Sequence, residues 1–198
     1  MRAGPDRSAS TAPAKSSFPP VVDAQARVLV LGTLPGEESL RRGEYYAHPR
    51  NLFWPIIFAL FGEPPASNYA QRLAFLTAHR IAVWDVCEIG EREASADSTI
   101  RMERPNAIGR LLHQYPLIRA VAFNGTTARR LYDRHFARRT ALTYIALPST
   151  SPAHATIDFA AKLARWRALR EILEQDGRPI SGSKLQVDPD LAVKAATN

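Results

Sequence analysis

Residues 28–36 constrain the fold of this chain most, because a continuous apolar run ends there in a glycine-containing loop. The run VLVLG, residues 28–32, is short and apolar throughout, which is typical of a parallel strand buried on both faces. Gly32 and Gly36 permit positive φ and close backbone approach to a ligand, and Pro35 stiffens the turn between them. Ligands of open α/β sheets bind beyond the carboxyl ends of the strands. We therefore expect a site at this loop.

The loop matches neither of two common nucleotide-binding motifs. Gly32-Thr33-Leu34-Pro35-Gly36 lacks the Gly-Lys-Ser/Thr ending of a phosphate-binding loop, and its two glycines do not make the dinucleotide fingerprint. Taken alone, the pattern also fits an ordinary turn that follows a strand. The chemistry must then come from other segments.

A second cluster, residues 45–54 (YYAHPRNLFW), is dense in aromatic and amide side chains. Phe53 and Trp54 are expected to open a buried helix, with the tyrosines packed over it. Tyr46 lies beside the glycine loop and could instead stack on a planar base. Asn51 precedes the helix and fits a plain N-cap as well as a role in the site. His48, placed before a proline, fits a structural role.

Strands and helices alternate along the rest of the chain. Further strands are predicted at 81–86, 118–123 and 142–147, and helices at 52–62, 69–79, 105–114, about 125–136 and 157–174. This alternation predicts a three-layer α/β/α sandwich around a central, mainly parallel four-stranded sheet. One domain is expected over residues 16–177, preceded by a disordered leader (1–15) and followed by a weakly ordered tail (178–198).

Two later loops also follow predicted strands and carry polar side chains. Asn124 precedes a glycine, so it suits a stock turn, but its amide could equally pair with the edge of a flipped base. The loop after the last strand, residues 148–154, has two prolines around three hydroxyls, which can donate to phosphate oxygens. No partner that would make one of its serines a nucleophile is evident.

The polar segment 85–106 allows two interpretations. It fits a solvated loop with local ion pairs, and it also fits a rim that touches phosphates through Ser95, Ser98 or an arginine. The sequence gives no separation for its carboxylates, so no acid/base pair is assigned there.

Composition excludes several classes of site. The formal net charge of +7 suits a polyanionic partner, although many basic proteins bind no nucleic acid. Cys87 is the only cysteine, so neither an intrachain disulfide nor a cysteine-based metal or iron–sulfur site is expected. The five histidines are scattered without metal-ligand spacing, and no apolar run is long enough to span a membrane.

Several separated motifs occur in an order that resembles the uracil-DNA glycosylase superfamily. They are Ser16-Ser17-Phe18-Pro19-Pro20, Gly32-Thr33-Leu34-Pro35-Gly36, Tyr45-Tyr46-Ala47-His48-Pro49-Arg50-Asn51 and Leu147-Pro148-Ser149-Thr150-Ser151-Pro152-Ala153. The likeness spans about residues 16–175 and is strongest to the hypoxanthine-DNA glycosylase branch. Mismatch-specific relatives carry a water-positioning asparagine where this chain has Leu34, and the uracil-specific enzymes carry a histidine where it has Leu147.

The resemblance implies roles for individual residues. Asn51 is implied to be catalytic. Base binding is implied for Tyr46, Asn124, Thr33, Leu34 and Phe53. DNA binding is implied for Gly32, Pro35, Gly36, His48, Ser149, Thr150, Ser151, Pro152 and His154. Whether His154 also stabilises the leaving base is left open.

The expected function is that of a monofunctional DNA glycosylase which removes hypoxanthine or another deaminated base during base excision repair. The expected partner is DNA containing such a base, with no cofactor, metal, iron–sulfur cluster or membrane. A cytoplasmic monomer is expected, associated with the nucleoid if the source is bacterial. Three alternatives remain: a preference for uracil or xanthine, DNA binding without catalysis, and an N-ribohydrolase for small molecules.

Overall fold

The computed structural model describes residues 14–91 and 101–175. Its elements in chain order are β1 (Ala14–Ser16), β2 (Val28–Gly32), α1 (Glu37–Arg42), α2 (Phe53–Phe61), α3 (Tyr69–Ala78), β3 (Ile81–Asp85), β4 (Cys87–Glu91), β5 (Arg101–Pro105), α4 (Ile108–Gln114), β6 (Ala120–Asn124), α5 (Thr126–His135), β7 (Thr143–Leu147) and α6 (Phe159–Glu174). The first 13 residues of the predicted leader (1–15), the predicted tail (178–198) and the serines 95 and 98 lie outside the described residues.

A parallel four-stranded sheet in the order β3-β2-β6-β7 forms the centre of the domain. Strands β2, β3 and β6 are buried at every position, whereas β7 lies at an edge and is partly exposed. Burial on both faces explains why these strands read as continuous apolar runs. Helices flank the sheet, so the predicted three-layer α/β fold is confirmed.

The register of the sheet brings the ends of its strands level with one another. Gly32 pairs with Asp85, and Leu31 pairs with Phe123 on the other side of β2. Asn124, one residue beyond Phe123, pairs in turn with Leu147. The loops that follow these residues therefore emerge side by side at one edge of the sheet.

A second, antiparallel sheet in the order β1-β4-β5 lies in the part of the chain predicted to be a polar loop. The interpretation of residues 85–106 as a solvated loop is therefore wrong for Cys87–Glu91 and Arg101–Pro105, which pair with each other. Ala14 and Lys15, placed in the leader by the sequence, belong to β1 and pair with β4. The segment adds a small β-layer next to the edge strand β3.

The helix that begins after the second cluster is deeply buried. Helix α2 packs against α6, and the ring of Phe53 meets the ring of Trp166 edge-on at a centroid distance of 6.0 Å. Both side chains are fully buried. This packing fixes the start of α2, and with it the segment 45–51 that precedes the helix.

Candidate active site

A cavity of about 590 Å³ opens at the edge of the sheet where the four strands end. It brings together most of the residues that the sequence singles out: Gly32, Thr33, Leu34, Pro35, Gly36, Tyr46, His48, Asn51, Asn124, Ser149, Thr150, Ser151 and Pro152. Phe53 and His154 are not among the residues that line it. The three predicted loops thus form one site.

Tyr46 is held in the cavity wall by the helix behind it. Its ring stacks on Phe53 with centroids 3.9 Å apart and an angle of 21° between the planes. Its backbone has φ of 56°, a left-handed conformation that non-glycine residues adopt at a cost. Phe53 is fully buried, so it supports Tyr46 from behind, and only Tyr46 of the pair presents a ring to the cavity.

Asn51 is fixed by hydrogen bonds to the backbone around it. Its side-chain Oδ1 accepts from the N–H of Phe53 at 2.9 Å, and its own N–H donates to the carbonyl of His48 at 2.8 Å. The side chain therefore does cap the helix start, although the N-cap position itself is Leu52. One lone pair of Oδ1 and both Nδ2 protons remain for a molecule in the cavity.

His48 lies beside Asn51 and is oriented by a local contact. Its Nδ1 accepts a hydrogen bond from the N–H of Arg50 at 3.1 Å. The ring is half-buried and lines the cavity. With Nδ1 occupied, the Nε2 side of the ring is the side that can meet a ligand.

Gly32 leaves the room that the cavity floor needs. A Cβ at this position would lie 2.5 Å from Oδ1 of Asp85 and 3.0 Å from the hydroxyl of Tyr46. Both distances are shorter than ordinary contact, so a side chain here would displace two groups of the site. Glycine is required at this point for close approach rather than for an unusual backbone angle.

Asn124 and Thr150 form two hydrogen bonds with each other in the wall of the cavity. The Nδ2 of Asn124 donates to Oγ1 of Thr150 at 2.9 Å, and the N–H of Thr150 donates to Oδ1 of Asn124 at 2.9 Å. Thr150 has no exposed surface, so its hydroxyl orients Asn124 in this structure. Asn124 keeps a second N–H and a second lone pair for a ligand.

The loop from 148 to 154 is anchored to helix α6 at both ends. Trp166 Nε1 donates to the carbonyl of Pro148 at 3.0 Å, and Nζ of Lys162 donates to the carbonyl of His154 at 2.7 Å. Lys162 is only 2% exposed, and burial lowers its pKa. The side chain of His154 is exposed. These two bonds fix the ends of the loop relative to α6.

Two serines of this loop keep a proton for another partner. Ser149 Oγ accepts from the N–H of Ser151 at 3.2 Å, and Ser151 Oγ accepts from the N–H of Ala153 at 3.3 Å. In each case the oxygen is an acceptor, so the hydroxyl proton can point elsewhere. The geometry suits donation to phosphate oxygens at the mouth of the cavity.

The whole domain matches one protein family. The model of the "Uracil DNA glycosylase superfamily" matches residues 19–170. The chain belongs to this superfamily. The family predicted from the motifs is therefore confirmed, and the matched region includes all three loops of the cavity.

Curated and solved relatives in the superfamily agree with this placement. A protein of Methanosarcina barkeri named hypoxanthine DNA glycosylase is 41% identical over 112 residues, which are 56% of this chain and 71% of the relative. A protein of the same name from Methanosarcina acetivorans is 39% identical over 115 residues, 58% of this chain and 73% of the relative. The solution NMR structure of a candidate uracil DNA glycosylase from M. acetivorans has a TM-score of 0.72 at 34% identity and covers 81% of this chain and 99% of that one.

One buried polar residue of the cavity, Asp85, was missed from the sequence, as was Asn106, which supports Asp85 from outside the cavity. Asp85 lines the cavity and is 3% exposed. Asn106 is 5% exposed, and its Nδ2 donates to the carbonyls of Asp85 and Cys87 and to Oγ of Ser17 at 2.9, 3.1 and 2.9 Å. Asp85 ends a buried strand just as Asn124 does. This shared position at the end of an apolar run could have identified Asp85 as a candidate site residue.

Within residues 14–91 and 101–175, no group of three or more His, Cys, Asp or Glu side chains is arranged to hold a metal ion. No helix in those same ranges is both long and apolar enough to cross a membrane.

Proposed function

We propose that this superfamily member is a monofunctional DNA glycosylase that hydrolyses the N-glycosidic bond of hypoxanthine in DNA. The observation that carries the proposal is the placement of Asn51 in the wall of the cavity, with its amide oriented by the backbone and Tyr46 nearby. The two relatives named hypoxanthine DNA glycosylase support the choice of base.

Asn51 positions the attacking water in this proposal. Loss of the base leaves an oxocarbenium-like sugar, so the enzyme needs a placed water more than a strong nucleophile. The water oxygen bonds to C1′ of the sugar, the bond from C1′ to the base breaks, and the base departs with a proton. The product is an abasic site, and because no lysine is assigned a covalent role, the strand stays intact until alkali is added.

The cavity binds the flipped base in the same proposal. Tyr46 stacks on it, while Asn124 and the loop at Thr33 and Leu34 hydrogen-bond its edge. Extrusion of a base costs a few kcal/mol, least for a mismatched pair, which itself favours deaminated bases. His48, together with the stiff Gly32-to-Gly36 loop, lines the route to the base.

Ser149, Ser151 and Pro152 contact the DNA backbone beside the extruded nucleotide. Both serines keep a hydroxyl proton for phosphate oxygens. The net charge of +7 adds a sequence-independent attraction to DNA. We further propose that one domain, whose start lies at or before Ala14, acts as a monomer in the cytoplasm, on the nucleoid if the source is bacterial.

A preference for uracil is the second candidate, because the solved structure with a TM-score of 0.72 is described as a candidate uracil DNA glycosylase. The same cavity and the same Asn51 would serve that reaction. The two candidates differ only in which deaminated base is cut fastest.

The decisive experiment is single-turnover cleavage of labelled duplexes that each carry one inosine, uracil, xanthine or mismatch, followed by alkali. Wild-type protein is expected to give alkali-dependent breaks at inosine. Asn51→Ala is expected to lower that rate at least about a hundredfold, the loss typical of removing one group that acts on the transition state.

Asn68→Ala is the matched control, because Asn68 also accepts a hydrogen bond at the start of a helix, from the N–H of Gln71 at 2.9 Å, yet it does not line the cavity. Breaks at uracil alone would move the assignment to the second candidate. Equal rates for Asn51→Ala and Asn68→Ala would remove Asn51 from the mechanism. Tight binding of duplexes without any breaks would leave a non-catalytic DNA-binding protein.

A further inference from the structure

Helix α5 carries an open, arginine-rich depression that the mechanism above does not use. The depression has a volume of about 500 Å³, and the described residues that line it all belong to α5: Thr126, Thr127, Arg129, Arg130, Asp133 and Arg134. These residues form the α5 surface. It presents three guanidinium groups and one carboxylate, and the proposed hydrolysis calls for none of them.

Ion pairs within the protein offset part of the charge on the α5 surface. Arg134 pairs with Glu103 of β5, and the carboxylate of Asp133 accepts two hydrogen bonds from Arg138, at 2.9 and 3.1 Å. Arg130, by contrast, is exposed and makes no hydrogen bond or ion pair with the described part of the chain. Because Asp133 is already neutralised from outside the surface, the charge of Arg130 remains for an anionic partner.

The start of α5 lies against the loop that is proposed to contact the DNA backbone. Gly125 immediately precedes α5, and its N–H donates to the carbonyl of Leu147 at 2.9 Å. A Cβ at Gly125 would lie 2.9 Å from Cβ of Ser149, so these two residues are in direct contact. Asn124, one residue earlier, lines the cavity. The first turn of α5 therefore emerges beside Ser149, at the edge of the sheet where DNA is proposed to bind.

The geometry of a helix sets how far Arg130 lies from that contact. Arg130 follows Gly125 by five positions, which is about 7.5 Å along the axis of α5. Successive phosphates of one strand are about 3.4 Å apart along the duplex axis, so this distance corresponds to roughly two nucleotides. Side chains of a helix also lean towards its N-terminus. Arg130 is thereby directed towards the first turn of α5, and hence towards the edge of the sheet.

A DNA backbone has the chemistry and the position to bind the α5 surface. Arginine can donate two parallel hydrogen bonds to the oxygens of one phosphate. The hydroxyls of Thr126 and Thr127 make no hydrogen bond with the described part of the chain, so they can donate to a phosphate as well. A duplex with an extruded nucleotide continues past the cavity on both sides, and its phosphates are already tethered at Ser149. A separate acidic protein would have no such attachment.

We propose that the α5 surface, with Arg130 at its centre, binds the phosphate backbone of the duplex that flanks the extruded nucleotide. The phosphate bound by Arg130 lies about two nucleotides from the one held by Ser149. This inference rests on the proposed function and deepens it, because it extends the DNA contact from the mouth of the cavity onto a helix. Such a contact adds affinity and orients the duplex, but it carries no information about base sequence.

The first test measures how the affinity for duplex DNA depends on salt concentration, by fluorescence titration. The duplex carries one 2′-fluoro-2′-deoxyinosine, whose fluorine disfavours the oxocarbenium-like sugar, so binding is measured without cleavage. Each phosphate contact contributes about 0.9 to the slope of log K against log salt concentration. Arg130→Gln is therefore expected to reduce the steepness of this slope by about 0.9. Its affinity relative to wild type should then recover about 3.5-fold between about 50 and 200 mM salt.

Arg167→Gln is the matched control for the loss of one positive charge. Arg167 is an exposed arginine of α6 that makes no hydrogen bond or ion pair with the described part of the chain, and it lines neither the cavity nor the α5 surface. Its replacement should leave the slope nearly unchanged. Arg130→Lys keeps the charge, so its slope is expected to stay near the wild-type value. Circular dichroism and thermal melting establish that each variant is folded.

A second test locates the contact on the DNA. Single phosphates around the modified nucleotide are replaced in turn by neutral methylphosphonates, and wild-type protein and Arg130→Gln are titrated with each duplex. At the phosphate bound by Arg130, the neutral linkage should weaken binding by the wild type several-fold and leave binding by the variant unaffected. This non-additivity identifies the partner of Arg130 directly.

A slope for Arg130→Gln equal to that of wild type or of Arg167→Gln would overturn the proposal and leave the α5 surface to another anionic partner, such as an acidic protein segment. A scan in which every neutral linkage affects Arg130→Gln as much as wild type would also overturn it. Failure of wild-type protein to cut any deaminated base would instead overturn the proposed function. The two failures are distinguishable, because binding and cleavage are measured on separate duplexes.

Discussion

Replacement of Asn106 by alanine is expected to destabilise the domain strongly, although Asn106 does not line the cavity. Its Nδ2 atom lies within hydrogen-bond distance of three acceptors: the carbonyls of Asp85 and Cys87 and the hydroxyl of Ser17. Cys87 lies opposite Pro105 in the β4–β5 ladder, and proline has no N–H to donate, so the amide supplies a donor at that point. The variant removes this donor from two buried carbonyls at once.

The expected loss follows from the number of bonds that one amide can make. Two protons serve three acceptors, which corresponds to two full hydrogen bonds at about 1 kcal/mol each, plus the desolvation of groups that lose their donor. We expect the free energy of unfolding to fall by about 2 to 4 kcal/mol. For a chain of this size that corresponds to a decrease in Tm of roughly 5 to 15 °C.

Urea unfolding followed by circular dichroism measures this loss, with Asn68→Ala as the control. Asn68 is an exposed N-cap, so its replacement is expected to cost only about 1 kcal/mol. Inosine cleavage should also slow in Asn106→Ala, because the end of β3 loses its restraint. A loss for Asn106→Ala no larger than that of Asn68→Ala would refute the reasoning from buried hydrogen bonds.

Three further predictions follow from single contacts. Thr150→Val keeps the shape of a fully buried residue but removes the hydroxyl that accepts a hydrogen bond from Asn124. We expect the free energy of unfolding in urea to fall by about 1 to 2 kcal/mol and inosine cleavage to slow. An unaltered cleavage rate would show that Asn124 needs no such support. Lys162→Met removes the hydrogen bond to the His154 carbonyl and also a buried charge, so the free energy of unfolding should change by no more than about 0.5 kcal/mol. The affinity for duplex DNA, measured by fluorescence titration, should fall several-fold because the 148–154 loop loses this anchor. Unchanged affinity would contradict the anchoring role. Burial lowers the pKa of His79 in the folded protein, so the unfolded protein binds the proton more readily. The free energy of unfolding should therefore decrease as the pH falls through about 6.5. His79→Phe should weaken that decrease, and an equal decrease in the variant would contradict the assignment to His79.

The parallel sheet could be predicted because its strands have one simple property. β2, β3 and β6 are buried at every position, so they appear in the sequence as short continuous apolar runs. The helix bounds were also close, with α2 at Phe53–Phe61 for a prediction of 52–62 and α3 at Tyr69–Ala78 for one of 69–79. For these elements the apolar pattern of the local sequence matches the observed burial, so the pattern was enough to predict them.

The antiparallel strands could not be recognised in the same way. Cys87–Glu91 contains two glutamates and a glycine, and Arg101–Pro105 is mostly charged or proline. Strand β4 mixes buried and exposed positions, and its ladder with β5 shifts register twice. Neither strand has the clean alternation that identifies a half-buried strand, and the strands are held by pairing and by Asn106 rather than by an apolar face.

The site was predictable where a loop follows an apolar strand and less so where a polar group is buried. Asn124 was singled out because its amide stands at the end of a predicted strand, and Asn51 was singled out through the motif around it. Asp85 also follows an apolar strand, but it stands next to many charged residues in the sequence, and the register opposite Gly32 is what places it in the cavity. Phe53 was expected at the base, but its position behind Tyr46 depends on how α2 packs.

Residues 17–19 make bonds to residues that the ribosome adds much later, and this has a consequence for the order in which the domain folds. Trp84 donates to the carbonyl of Phe18 across 66 positions of sequence, and Asn106 donates to Ser17 across 89. During synthesis, Ser17 and Phe18 therefore cannot form these hydrogen bonds until a further 66 to 89 residues have been made. We expect the wall beside Asp85 to close only after Asn106 has been made, ahead of the loop that follows β7 on the other side of the cavity.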